Sequence, residues 1–262
     1  MEESSGRRWF LKSVAAVGVA VPAAALGADP HSPHGHSEVI SQAVSAKGQS
    51  QPQAYGWLTQ TEQAFIEAAV ARLIPADELG PGAKEAGVSY FIDQQLAGAY
   101  GTMARNYKQG PWPEGTPQQG YQSRLMPQEA YRAAIVEINA YCAGRYGKVF
   151  ETLSAAQQDE VLGELEAGKV ALESVGASFF FGLLLANTME GFFADPIYGG
   201  NRDKIGWKLV GFPGVAAVYS GFIDKHNVPY NAEPVSIADL QKHTVAVDEH
   251  GHPHHVLVAK KD

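Results

Sequence analysis

Apolar residues recur at helical spacing along most of the chain, and helix-breaking residues divide them into segments. Phe65, Ile66, Ala69, Val70 and Leu73 fall on one helical face, opened by the capping-box spacing of Thr59-Gln60-Thr61-Glu62 and stopped by Pro75. A second stripe, Val88, Phe91, Ile92, Leu96 and Ala99, predicts a helix over 85–100. A third helix opens at Pro127, carries Tyr131, Ile135, Ile138 and Cys142, and is expected to close at Gly144. Ser154-Ala155-Ala156-Gln157 is another capping box, leading into Val161, Leu162 and Leu165 and ending at Gly168.

The next segment, over 174–193, differs in kind. Phe179, Phe180, Phe181, Leu183, Leu184, Leu185, Met189, Phe192 and Phe193 leave almost no polar face, which predicts a buried central helix with the others packed round it. Asp195-Pro196 ends it, because proline cannot continue the helix and biases its predecessor toward extended backbone. A long glycine-rich loop follows, in which Gly199-Gly200-Asn201 permits unusual backbone angles and Tyr198, Trp207 and Phe212 supply aromatic anchors. These patterns predict an all-α fold, a bundle of about five helices. Only the end breaks the pattern: Thr244–Val247 and His255–Val258 flank a turn and predict a small C-terminal β-hairpin.

At 262 residues and 45% hydrophobic, the chain is long enough for one sizeable core with appended tails. The formal charge is -8, to which residues 1–28 contribute +1 (Arg7, Arg8 and Lys12 against Glu2 and Glu3), leaving -9 for the rest. Nucleic acid is therefore not an expected partner, since a polyanion binder needs a basic face. The one cysteine, Cys142, excludes an internal disulfide and reads as a small core side chain.

Ahead of the helices, Arg7-Arg8-Trp9-Phe10-Leu11-Lys12 precedes an apolar, alanine-rich run from Ser13 to Leu26. That order is an export signal, and Arg7, Arg8, Phe10, Leu11 and Lys12 resemble the twin-arginine type, with Gly6 where serine is usual. The run is short for a membrane span and contains Pro22, which favours a cleaved leader over an anchor. Residues 29–55 are rich in His, Ser, Pro, Gln and Gly and read as a flexible linker. The expected organisation is thus a signal peptide over 1–28, the linker over 29–55, the helical domain over 56–232 and a tail over 233–262.

The stretch G-F-F-A-D-P-I-Y-G-G-N-R-D-K-I-G-W-K-L-V-G-F-P-G, residues 191–214, resembles the small subunit of membrane-bound gluconate 2-dehydrogenase and related flavin-dependent sugar dehydrogenases. G-V-S-Y-F-I-D-Q-Q-L-A-G, residues 87–98, is similar to the same family. The resemblance implies a non-catalytic partner subunit with no cofactor of its own. It further implies a large FAD-bearing subunit that oxidises gluconate or a related sugar acid, polyol or sugar, and a multihaem cytochrome c subunit that carries electrons to membrane quinone. With the leader it implies a periplasmic, inner-membrane-associated complex, exported through the twin-arginine translocase, in which this chain escorts the large subunit. Tyr198, Asn201, Trp207 and Phe212 are the candidate partner-interface residues, in a loop expected to be ordered by the large subunit or by the central helix.

Other chemistry is sparse. There is no G-x-G-x-x-G after a strand, no phosphate-binding G-x-x-x-x-G-K-[ST], no C-x-x-C and no G-x-S-x-G, so flavin, nucleotide, haem and nucleophile motifs are absent from the sequence. Two alternatives remain open at this level. One is a stand-alone enzyme using Glu190 with Asp195, Arg202, Asp203 and Lys204; the other is a metal-binding protein using His31, His34 and His36 with the turn His250–His255. Asn187 and Thr188 interrupt the apolar helix and are expected to find internal partners.

Overall fold

The computed structural model describes residues 54–113, 115–215, 223–228, 230, 232–245 and 247. Five longer helices build the core: α1 (Gln60–Leu73), α2 (Val88–Ala97), α3 (Pro127–Tyr146), α4 (Ala155–Glu166) and α5 (Ala177–Phe193). Two short ones follow, α6 (Ile205–Val210) and α7 (Ile237–Gln241). The fold is all-α, and no strand occurs among the described residues. The expected export leader, nearly all of the expected linker, the histidine tracts and most of the expected C-terminal hairpin lie outside those residues.

Both capping boxes form, with Thr59 and Ser154 each accepting from the third residue of its helix while Glu62 and Gln157 reach back. Helix α2 is shorter than the stripe predicts because Gly87, at φ 73°, delays its start and Gly98 ends it. Helix α3 runs past Gly144 to Gly147, whose left-handed φ of 69° makes it the closing residue instead. A left-handed turn needs a residue without Cβ, whereas Gly144 sits in an ordinary helical position where any side chain would fit.

Helix α5 is central: it packs against α1, α2, α3, α4 and α6. Phe180, Leu184 and Phe192 on its inner side are fully buried with Phe65, Ile66, Ile92, Tyr131, Ile138 and Phe150. Ring pairs lock the layers, Phe65 against Phe150 at 4.7 Å and Tyr131 edge-on to Phe180 at 5.4 Å. Cys142 lies in this core at 0% exposure, and burial pushes its thiol up to about 11, so it stays protonated at neutral pH. The expectation of complete burial fails on the outer side of α5, where Phe179, Leu183, Leu185, Ala186, Met189 and Phe193 are only half-buried and Gly182 is exposed. Five helices pack against one side of this helix; among the described residues no helix lies over the other, where the Tyr121 ring stands edge-on to Phe179 at 5.3 Å.

Among the described residues, the buried side-chain polar atoms are paired except for Glu151 Oε2. Asn187 accepts from the Tyr131 hydroxyl at 2.8 Å and from Tyr100 at 3.1 Å, and Thr188 donates to the Leu184 carbonyl at 2.7 Å. Burial pushes the Tyr131 phenol well above its ordinary value, so it serves as a fixed donor. Asp93 is the buried carboxylate that pattern reading passes over. At 0% exposure it accepts from the amides of Gly56 (2.8 Å), Trp57 (2.9 Å) and Leu58 (2.8 Å), fastening the chain entering α1 onto α2. Its only trace in the sequence is an acidic residue between Ile92 and Leu96, on a stripe otherwise apolar.

Candidate functional site

The loop from Asp195 to Gly214 folds back onto the end of α5, and small residues make that approach possible. A Cβ on Gly200 would lie 2.2 Å from the Gly191 carbonyl oxygen, and one on Gly206 would lie 2.0 Å from that of Phe192. No L side chain fits at either contact. The motif glycines therefore bring two backbones together, with no ligand needed to explain them.

Asn201 is the keystone of this contact. Fully buried at φ 46°, it donates through Nδ2 to the Ala194 carbonyl at 2.8 Å and accepts through Oδ1 from the Gly206 amide at 2.8 Å. One side chain thus satisfies an orphan carbonyl at the end of α5 and an orphan amide at the start of α6. Asparagine suits the place because it tolerates the left-handed conformation. Trp207, 6% exposed, adds an indole N–H donated to the Phe193 carbonyl at 2.7 Å, with its ring edge-on to Phe212 at 5.2 Å. The Arg202 amide binds the Ala86 carbonyl at 2.9 Å, tying the loop to the turn before α2.

A second fastening reaches the C-terminal part of the chain. Asp195 accepts from Ile197 with one carboxylate oxygen and from the Ile237 amide with the other, at 3.0 and 2.8 Å. Lys204 donates to the Pro234 carbonyl and to Asp239, each at 2.8 Å. Burial alone would push the Asp239 carboxyl up, but Lys204 and the Ser236 donors outweigh it and hold it below the usual carboxylate range. The Val215 amide donates to the Val235 carbonyl at 2.7 Å, and the Val235 amide to the Pro213 carbonyl at 3.0 Å.

Of the four candidate interface residues, two face inward: Asn201 and Trp207 hold the loop to the central helix. Tyr198 and Phe212, 53% and 47% exposed, stand on its surface. Ile197 at 39% and Val210 at 59% extend that surface, and Leu79, Ile205, Lys208 and Leu209 line an adjoining cleft of about 360 Å³. The residues of the stand-alone enzyme alternative do not converge. Glu190 is exposed and accepts from Asn187 Nδ2 at 3.0 Å, Asp195 is bound to two backbone amides, and Lys204 turns to Asp239. The Arg202 guanidinium lies against Gly87, where an added Cβ would come within 3.1 Å of it. The histidines of the metal alternative lie outside the described residues.

The described residues thus form an all-α bundle in which the loop after the central helix is pinned back onto it by Asn201 and Trp207 and bears Tyr198 and Phe212 on its surface. The family described as gluconate 2-dehydrogenase subunit 3 matches residues 60–214, more than half of the 262 residues, and the chain belongs to that family. The matched region begins at the first residue of α1 and ends at Gly214, the last glycine of the loop motif. No curated protein and no solved structure matches the chain. As a gluconate 2-dehydrogenase subunit, the chain is part of an oxidoreductase complex and has partner subunits.

Proposed function

We propose that the chain is the non-catalytic small subunit of an exported, FAD-dependent gluconate 2-dehydrogenase-type complex, and that it serves assembly and export of the flavin-bearing large subunit. The observation that carries this reading is the family match over residues 60–214, which span the five longer helices and the loop after α5. FAD resides on the large subunit, and haem c on a multihaem cytochrome subunit that returns electrons to the inner membrane. The complex works on the periplasmic side.

Two features support the reading. A flavoprotein that folds around its cofactor is best exported folded, and Arg7-Arg8 in this chain resembles the signal of the route that takes folded cargo. A loop held by Asn201, Trp207 and its close glycine contacts presents Tyr198 and Phe212 in a fixed arrangement, which lowers the ordering cost of association. Replacing Arg7 and Arg8 together with lysine is expected to strand both this chain and the large subunit in the cytoplasm, with dehydrogenase activity measurable there. Normal arrival of the large subunit in the periplasm of that strain would overturn the escort role and leave assembly alone.

A further inference from the structure

Helix α5 spans 17 residues, about 25 Å, and its burial is one-sided. At 100° per residue, Ala177, Phe180, Phe181, Leu184, Asn187, Thr188, Gly191 and Phe192 point to the core and are buried. The opposite arc, about 120° wide, carries Phe179, Gly182, Leu183, Ala186, Met189 and Phe193, all half-buried or exposed. Leu185 borders it. Only Ser178 and Glu190 on this side are polar. A helix on the surface of a bundle ordinarily carries charge on its outer face, whereas one that is apolar all round is covered on all sides. At its far end the strip meets the pinned loop, through the Trp207 bond to the Phe193 carbonyl and the Trp207–Phe212 ring contact.

Gly182 sits in the middle of the strip with nothing within 4 Å of an added Cβ. Glycine in a helix interior costs about 0.5–1 kcal/mol relative to alanine, and no contact among the described residues offsets it. Gly144 and Gly163 are equally open. What sets Gly182 apart is its company, large apolar side chains flanking a shallow notch.

We propose that this outer face of α5 is the docking surface for the flavin-bearing subunit, which lays an apolar helix or loop along the notch at Gly182 and Ala186 and sets a cationic or N–H donor group against Glu190. This rests on the reading of the chain as a partner subunit. Charge selects the occupant. Glu190 is the one charge on the face, already oriented by Asn187 at 3.0 Å. Antiparallel pairing of two copies about Ala186 would set Glu190 against Gly182, and parallel pairing would set it against Glu190, so self-association buries carboxylates without a cation from either helix. A lipid surface is equally disfavoured, because the face carries no Lys or Arg and the chain is acidic overall, at -8. A different subunit can supply the missing group.

The test is co-expression of the full-length tagged chain with the flavin-bearing subunit, reading flavin recovered per chain after purification. The variants are Gly182→Arg and Glu190→Lys, with Val136→Arg, at a 69% exposed site on α3, as the control. The two α5 variants are expected to lower recovered flavin by at least about tenfold while Val136→Arg leaves it unchanged, and all three isolated chains keep the wild-type helical signal and melting. Flavin recovery by the α5 variants equal to wild type overturns the docking face alone. A wild-type chain that recovers none overturns the partner-subunit reading, and this inference with it. The assignment to that subunit also fails in three other outcomes: the isolated chain forms a dimer that Gly182→Arg splits, it binds phosphatidylcholine–phosphatidylglycerol vesicles unless mutated, or Gly182→Arg destabilises it, meaning that its own chain covers the face.

Discussion

Substituting Asn201 by glycine separates the hydrogen bonds of the keystone from its backbone geometry. Glycine adopts φ 46° without strain, so the variant removes only the bonds to Ala194 and Gly206, both 2.8 Å. The site is fully buried, and each stranded group, a carbonyl and an amide, costs about 1–3 kcal/mol when it loses its partner. Added backbone freedom in the unfolded chain costs about 0.5–1 kcal/mol more, for a loss of about 2.5–7 kcal/mol. With a urea dependence of about 1–3 kcal/mol per molar, the midpoint should fall by at least about 1 M, followed by far-UV circular dichroism. Asn201→Ala should be worse by about 1 kcal/mol, because alanine bears the left-handed strain that glycine escapes. A midpoint shift below about 0.3 M for Asn201→Gly, or alanine proving milder than glycine, would refute the keystone assignment.

Trp207→Ala, at a 6% exposed site, should cost about 3–5 kcal/mol in the isolated chain; an unchanged urea midpoint together with a lost complex would return Trp207 to an outward role. The Asp239 carboxyl, depressed by Lys204 and Ser236 against the opposing effect of burial, stabilises the C-terminal fastening fully above its unfolded value and loses that contribution as pH falls through the lower folded one. Its carboxyl carbon should therefore titrate in an NMR series below the ordinary aspartate value of about 3.9, and Lys204→Met should raise the midpoint; titration at or above the ordinary value in the wild type would contradict the pairing.

The helices were legible because period and punctuation coincide. Thr59 and Ser154 open α1 and α4 where their capping boxes say, and the apolar run of α5 does mark the helix that all the longer helices touch. Cys142 and Thr188 sit as a local reading expects, since a small side chain on an apolar face and a hydroxyl one turn from a carbonyl need no distant partner. Family membership was legible too, in the glycines and aromatics of 191–214, whose order reflects a single folded loop.

What sequence could not decide were the long-range pairings. Asp93 is an ordinary acidic letter until folding brings Gly56, Trp57 and Leu58, 35 to 37 positions away, to its oxygens. Asp195 and Lys204 resemble members of a reactive cluster until Ile237 and Asp239 arrive to claim them. Trp207 and Phe212 are alike as aromatic letters, yet one is spent inward on the Phe193 carbonyl and the other is half open to solvent. Hydrophobicity tells which residues leave water, but it does not tell against what. Five packed helices cover the inner side of α5, and among the described residues no helix covers the outer one; an apolar run alone reads the same on both sides, and only the tertiary arrangement reveals which half remains open.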